Sequence, residues 1–296
     1  MKAPAFDYLT PSRLAEVFAL LAQHGDEAQL LAGGQTLLAT LNMRLSEPAV
    51  LIDLNRITEL QGISVTANAL RIGALVTHSE IEHSPLVRSH APLLTKAAPY
   101  IAHRAIRNRG TWGGSIAYAD PAAEWPACAL ALDAVVIVRS ANGERRIPVA
   151  NFFVDLYTTS LAVGEVIVAC EIPLKSSEHR VGFDELARRH GDYAIVGLAA
   201  GLQMDAQLIT DARLAFLGIG RTPFRARQTE QFLCTRELTG ATCDGAAQML
   251  QSELQDDNAP LADLTNSADT KRHLAGVLLR RILLKLATHA VEDSHV

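Results

Sequence analysis

The sequence predicts an α+β fold laid out as two successive domains, and three observations carry that prediction. Strand-patterned and helix-patterned segments alternate through the first half of the chain, the stretch 174–180 turns polar and irregular, and beyond it two long apolar strand candidates precede three grouped helices. Strands followed by clustered helices indicate an α+β layer arrangement. At 296 residues the chain has room for two domains of roughly 100–200 residues each. Hydrophobic residues make up 49% and charged residues 20%, which supplies material for packed cores.

The elements follow in order. Residues 12–24 predict a helix, because Leu14, Val17, Phe18 and Leu21 recur at helical spacing; Ser12 suits the N-cap and Gly25 the stop. Residues 28–32 read as a short buried strand that ends at Gly33-Gly34. Helical spacing resumes over 36–45, and 50–54 is a second strand, so the opening is β–loop–α–β. A strand over 69–74 leads to Thr77, placed to cap a short helix through His83. Residues 92–106 predict one helix before the polar run Arg107-Asn108-Arg109-Gly110. After a second glycine pair, 122–133 is helical and 134–139 extended. Ala141-Asn142-Gly143-Glu144 predicts a hairpin with a type I′ turn, since Asn-Gly favours positive φ. Residues 166–172 form a strand closed by Pro173. In the second half, 193–204 and 212–219 are strands, and 225–234, 241–254 and 268–288 are helices. The last helix sets Leu274, Val277, Leu278 and Leu284 on its buried side and Arg272, Arg280, Arg281 and Lys285 on a solvated or subunit-facing side.

Composition narrows the function. A net charge of −5 gives no electrostatic footprint for nucleic acid. The opening residues lack a basic region followed by an apolar run, and the apolar stretch 127–138 is interrupted by Asp133, short of the roughly 20 residues a membrane helix needs. The expectation is a cytoplasmic protein without a transmembrane segment. Cys128, Cys170, Cys234 and Cys243 form no C-x-x-C pair and read as buried thiols. The histidines, among them His24, His78, His83, His90, His103 and His190, show no metal-ligand spacing, and no catalytic triad can be argued from residue order. No metal ligand and no catalytic residue is expected in this chain.

The chemistry-bearing features are two glycine-pair loops about 80 positions apart: Ala32-Gly33-Gly34-Gln35-Thr36 and Gly110-Thr111-Trp112-Gly113-Gly114-Ser115. Glycine lets backbone N–H groups approach an anion closely. Behind the first loop a helix begins, whose unpaired N–H groups and positive end suit a phosphate, with Thr36 and Ser115 as hydroxyl donors. Two such loops would clasp a dinucleotide diphosphate without any lysine. Glycine pairs also make plain tight turns, and their spacing leaves both readings open. Two familiar nucleotide motifs are missing: Gly218-Ile219-Gly220 lacks the third glycine of a dinucleotide fingerprint, and there is no phosphate loop with G-K-[ST].

Longer runs are more specific. Leu31-Ala32-Gly33-Gly34-Gln35-Thr36-Leu37-Leu38, with Arg44-Leu45 and Leu51-Ile52-Asp53-Leu54 behind it, resembles the first FAD-binding signature of the molybdenum hydroxylase flavoproteins. That family includes the medium subunits of carbon monoxide dehydrogenase and of nicotine and quinoline hydroxylases, and the flavin domain of xanthine dehydrogenase. Ile106 to Ala117, followed by Ala119-Asp120-Pro121-Ala122-Ala123-Glu124, resembles the second signature. Phe183, Glu185, Ala187-Arg188-Arg189 and Gly191-Asp192-Tyr193-Ala194 match a third. The resemblance spans essentially the whole chain.

The resemblance implies a two-lobed FAD-binding domain of the vanillyl-alcohol-oxidase type over 1–175, with lobes at about 1–55 and 56–175, and an α+β C-terminal domain over 180–290. It implies that Ala32, Gly33, Gly34, Gln35, Thr36 and Leu37, together with Thr111, Gly113, Gly114 and Ser115, bind the diphosphate and ribityl regions of FAD. Asp120 would accept from the ribityl chain, with Glu124 close behind; Ala102, Ile167 and Glu185 complete the expected set. Tyr193 would cover the flavin ring by offset aromatic contact, although a tyrosine at the start of a strand is also ordinary packing. Trp112 replaces the usual small aliphatic residue and either closes over the cofactor or packs. Arg104 stands where the family often has proline, which points to a longer helix there. Glu124, where xanthine dehydrogenases carry aspartate, sides with the carbon monoxide and heterocycle branch. The implied assembly is a dimer of heterotrimers. In it a large partner holds a molybdenum–pterin centre, a small partner carries two [2Fe-2S] clusters, and this chain passes electrons through FAD to an external acceptor. Two alternatives stand beside it: a stand-alone FAD-dependent oxidoreductase, and a non-redox nucleotide-binding scaffold.

Overall fold

In the computed structural model, which describes residues 2–176, 178–256 and 259–292, the glycine-punctuated opening folds as a small parallel sheet. Its elements are β1 (Asp7–Leu9), α1 (Leu14–His24), β2 (Ala28–Leu31), α2 (Leu37–Asn42) and β3 (Val50–Asp53). Both β1 and β2 pair with β3, which gives the order β1-β3-β2. Leu14 and Val17 of α1 pack on Val50 and Ile52. Ser12 is not the cap of α1: Arg13 occupies that position, and the Ser12 N–H donates to Glu16 at 2.7 Å. That carboxylate braces the turn before the helix, while the first helical amide, Leu14 N–H, donates to Glu59 at 3.2 Å.

The second lobe is built on an antiparallel sheet in the order β4-β5-β10-β6-β7. In chain order its elements are β4 (Ile63–Val65), β5 (Ala69–Gly73), α3 (His78–His83), α4 (Pro85–His90), α5 (Pro92–Ala97), α6 (Arg104–Arg107), α7 (Trp112–Tyr118) and α8 (Glu124–Ala131). Then come β6 (Val135–Ser140), β7 (Gly143–Pro148), β8 (Phe153–Asp155), β9 (Thr158–Thr159) and β10 (Val166–Pro173). Thr77 caps α3 through a reciprocal box with Glu80. The expected helix over 92–106 is broken. A 3₁₀ turn at Ala98–Tyr100 follows α5, and Ala102 sits at φ +42° before α6. Pro99 removes a backbone donor and the left-handed Ala102 turns the chain, so Arg104 opens a short separate turn instead of lengthening the helix. The β6–β7 hairpin forms, but not on a type I′ turn: Ser140 pairs with Gly143, and the positive φ (+130°) falls on Gly143, not on Asn142.

β10 is buried on both faces, which explains its continuous apolar run. Val166, Val168 and Ala169 face the first lobe, whereas Cys170 and Ile172 join the core under α5, α7 and α8.

The C-terminal unit comprises β11 (His179–Leu186), β12 (Val196–Asp205), β13 (Leu208–Leu217), β14 (Phe224–Arg225), α9 (Arg227–Leu233), α10 (Gly240–Asp256) and α11 (Ala268–Glu292). Its four strands pair antiparallel in that order. Leu198, Ala200 and Leu202 alternate toward α10 and α11, while Ala199 faces the second lobe's core. The buried stripe of α11 is Ala275, Leu278, Leu279, Ile282, Leu283 and Leu286, rotated from the expected one; Val277 is exposed. The helix's cations are paired within the chain: Arg280 with Asp244, and both Arg281 and Lys285 with Asp184. Asp133, at the end of α8, receives Arg213 at 2.8 Å and Arg225 at 3.1 Å from the C-terminal sheet.

Candidate flavin cleft

A cleft of about 590 Å³ runs between the first lobe, the second lobe and the Gly191-Asp192-Tyr193 turn of the C-terminal unit. Its floor is where the two glycine loops meet. A Cβ on Gly33 would lie 2.8 Å from both the Arg109 carbonyl carbon and Gly110 Cα, and closer still to the Arg109 oxygen. One on Gly114 would come within 3.8 Å of Ala32 Cβ. The convergence thus depends on residues without side chains, because the backbones themselves are in contact.

The loops differ in what they offer a ligand. The first leaves β2 at Leu31 and turns through Gly34 at φ +73°. Asn55 holds it by donating from Nδ2 to the Ala32 carbonyl at 3.0 Å, and Gln35 Nε2 donates to the Gly33 carbonyl at 3.1 Å. Among the described residues, none accepts from the N–H groups of Gly33, Gly34, Gln35, Thr36 or Leu37. This run of free donors lines the cleft, the arrangement that binds phosphate oxygens.

The second loop is stitched to the segment after β5. His78 N–H donates to the Gly110 carbonyl at 2.9 Å, Trp112 N–H to Val76 at 2.8 Å and Gly113 N–H to Ala74 at 2.8 Å. Thr111 caps α7 and accepts from Gly114 N–H at 3.2 Å. A Cβ on Gly113 would be 2.5 Å from Ala74 Cβ, so this glycine serves the close packing of two protein segments. The amides of Gly113, Gly114 and Ser115 are therefore engaged within the protein, whereas among the described residues none accepts from the Thr111 N–H; the loop contributes that amide, shape and the Ser115 hydroxyl. Arg107 anchors the approach, donating to Glu82 at 2.9 Å and to the carbonyls of Ile101 and Ala102 at 3.1 and 3.3 Å. Trp112 is fully buried, 5.3 Å centroid to centroid from Trp125, so it packs behind the loop and does not close over the cleft.

Acidic and aromatic groups occupy the other end. Asp120 is buried and accepts from Ala122 N–H at 2.9 Å; burial raises its carboxyl above the usual range. Glu124, at the start of α8, is pushed to about 7 by burial, with Asp120 adding to the shift. Glu185 is pushed to about 8 by burial, then by Glu124 and Asp184, and its Oε2 is buried without a partner. Tyr193 lies in a loop and not on a strand: β12 begins only at Val196, and the ring is 71% exposed at the cleft mouth. Gly191 seats that turn against Ala102, because a Cβ there would meet the Ala102 carbonyl at 2.9 Å. Tyr118 and Tyr157 meet nearby with their rings tilted and centroids 5.2 Å apart.

The cleft walls bring together Ala32, Gly33, Gly34, Gln35, Thr36, Leu37, Ala102, Thr111, Gly113, Gly114, Ser115, Asp120, Glu124, Ile167 and Tyr193. Glu185 is the expected residue that stays outside, behind Glu124. No lysine or arginine lines the cleft among the described residues. Asn55 and the cleft-lining His78 escaped the sequence reading; neither stands in a glycine motif, and only the pairing of segments reveals them. The donor set suits a diphosphate-bridged dinucleotide: free amides and hydroxyls at the loop junction, a carboxylate acceptor beyond it, and an aromatic at the mouth.

Residues 4–175 match the family described as the FAD binding domain in molybdopterin dehydrogenase, and residues 182–286 match the CO dehydrogenase flavoprotein C-terminal domain. The chain is 38% identical to the 6-hydroxypseudooxynicotine dehydrogenase complex subunit alpha of Paenarthrobacter nicotinovorans, over 96% of this chain and 95% of that protein. It is 36% identical to the caffeine dehydrogenase subunit beta of a Pseudomonas strain, over 98% of both. Among solved structures, carbon monoxide dehydrogenase from Hydrogenophaga pseudoflava superposes with a TM-score of 0.92 at 34% identity, covering 98% of this chain and 99% of the other. Quinoline 2-oxidoreductase from Pseudomonas putida 86 gives 0.91 at 38% identity, with coverage of 98% and 99%.

Proposed function

This chain belongs to the FAD-binding medium-subunit family of the molybdenum hydroxylases, and on that premise we propose that it is the electron-transfer subunit of a heterotrimeric enzyme. In this reading it takes electrons from [2Fe-2S] clusters on a small partner and passes them to an external acceptor, while a large partner holds the molybdenum–pterin centre. Two such heterotrimers would associate as a dimer. Bound in the cleft, FAD supplies the exchange between one-electron and two-electron transfer.

The chain's residues hold and shield it. Free amides from Gly33, Gly34, Gln35, Thr36 and Leu37 donate to the diphosphate, joined by the Thr36 and Ser115 hydroxyls. Asp120, fixed by Ala122, accepts from ribityl hydroxyls. The second loop, with Thr111, Gly113 and Gly114, sets the cleft's shape; Ala102 and Ile167 wall it, and Tyr193 covers the ring and excludes water. Glu124 closes the cleft wall beyond Asp120, with Glu185 behind it. No acid or base from this chain is required for substrate chemistry, which belongs to the large partner.

The observation that carries the reading is the junction of the two glycine turns below a row of free amides. Its test is the visible spectrum of the purified chain, followed by purification with its partner chains. Flavin bands that persist through gel filtration, and reduction by substrate only in the presence of the iron–sulfur and molybdenum chains, are the expected results. A colourless chain would overturn the assignment of the cleft. Substrate turnover by the flavin-loaded chain alone would make it a stand-alone oxidoreductase.

A further inference from the structure

Beneath the loop junction lies a histidine that the glycine motifs do not involve. His78 is 6% exposed and lines the cleft beside Gly110 and Thr111. Its Nδ1 accepts a 2.8 Å hydrogen bond from the indole N–H of Trp125. An indole N–H is a donor only, so Nδ1 must carry the lone pair and, in the neutral ring, the proton must sit on Nε2. Nε2 lies along the open side of Gly110: a Cβ there would be 2.5 Å from it. No described residue accepts from Nε2. Gly110 is thus a glycine for the sake of the imidazole, leaving that ring edge uncovered.

We propose that His78, locked by Trp125 as the Nε2–H tautomer, is a neutral hydrogen-bond donor to the diphosphate of the bound dinucleotide. The inference rests on the FAD reading above and deepens it. Open to the cleft and without a protein acceptor among the described residues, this donor is available to an anionic oxygen at the loop junction, and a bond to a charged acceptor is stronger than one to water. Burial, assisted by the nearby Arg107 charge, holds the ring's pKa down to about 3, so the neutral donor persists across the physiological range. A neutral donor also fits a cleft that lacks lysine and arginine among its described walls.

The test uses the full chain, stripped of flavin, and three ligands: FAD, ADP as a diphosphate without flavin, and riboflavin as a flavin without diphosphate. Wild-type binding of FAD checks the underlying reading separately. For the inference, H78F should bind FAD and ADP about tenfold or more weakly, with riboflavin unchanged, and H78Q, which keeps a donor, should lose less. Nitrogen-15 spectra of histidine-labelled wild type should show the Nε2–H tautomer and a displaced Nε2–H signal on adding ADP; W125F should release the tautomer. An Nδ1–H tautomer in the wild type, or H78F binding FAD and ADP within twofold of wild type, would overturn the proposal. Should H78F not fold, the wild-type spectra with and without ADP decide it.

Discussion

Adding one methyl group at Gly33 separates two ways in which this turn could matter. A Cβ there meets backbone atoms of the second loop, with the Arg109 carbonyl carbon and Gly110 Cα both at 2.8 Å. Carbon atoms settle at about 3.5–4.0 Å, so the loops must part by roughly 1 Å. Neither neighbour is a flexible side-chain tip, and Gly110 is tied to His78 at 2.9 Å. Overpacking of this kind costs about 1–3 kcal/mol, and backbone-on-backbone contact belongs at the upper end. At roughly 2–4 °C per kcal/mol, G33A should lower the melting temperature of the flavin-free chain by about 6–12 °C. The contrast is Gly114, whose added Cβ meets the Thr111 hydroxyl at 2.8 Å and otherwise only Ala32 Cβ at 3.8 Å. G114A should cost about 1 kcal/mol through the disturbed cap, and act mainly on flavin affinity. Thermal unfolding of both variants, with and without FAD, reads the difference. A flavin-free G33A chain melting within 2 °C of wild type, with full FAD occupancy, would refute the reasoning that the junction is a protein–protein contact before it is a ligand site.

Other consequences can be checked in the same way. Y193A should leave stability within about 0.5 kcal/mol, because the residue is exposed, yet raise the fluorescence of bound flavin, because the contacting phenol that quenches it is gone; unchanged fluorescence would count against a covering role. D133N should destabilise the chain by about 1–2 kcal/mol, allowing for screening at this part-exposed site, since Asp133 serves Arg213, Arg225 and Lys175 together. Burial works to raise the Asp133 carboxyl, but the Arg213 hydrogen bond and neighbouring cations outweigh it and hold it low. Its stabilisation is therefore present above the ordinary carboxylate pKa and fades as pH falls through the lowered value; acid titration of wild type against D133N reads this. Glu185 has the opposite sign. With its carboxyl raised to about 8 by burial, Glu124 and Asp184, stability is greatest below the unfolded pKa and declines as pH rises through that value. E185Q should flatten the decline in the flavin-free chain, and an unchanged pH profile would show that Glu185 does not carry it.

Much of this architecture can be read from residue types, and the places where reading fails have physical causes. Thr77 announces the cap of α3, and Gly25 ends α1. The Asn142-Gly143 hairpin is legible, but its turn geometry is not, because pairing decides which residue takes the positive φ. The break between α5 and α6 falls where Pro99 interrupts the helical pattern and Ala102 turns left-handed, and Arg107 holds that turn by donating to the carbonyls of Ile101 and Ala102, a contact that periodicity does not reveal. Both glycine pairs read as anion donors, yet only the first pair has free amides, since Gly113 donates to Ala74 and Gly114 to the Thr111 hydroxyl. The position of Tyr193 outside the strand follows from Gly191 docking on Ala102, far away in sequence. His78 is invisible without its partner, for nothing in the chain order joins it to Trp125.

The polar stretch at 174–180 looks like a seam, but the apolar interior does not respect it. Val181, Phe183, Ala194, Ala199, Ala215 and Leu217 from beyond it share one continuous cluster with Trp112, Trp125 and Cys128 from before it. Each half therefore finishes the other's wall. Severing the polypeptide there would bare Trp112 and Trp125 on one fragment and Phe183 and Leu217 on the other, apolar surfaces that water cannot satisfy, so neither half can keep its shape without its neighbour.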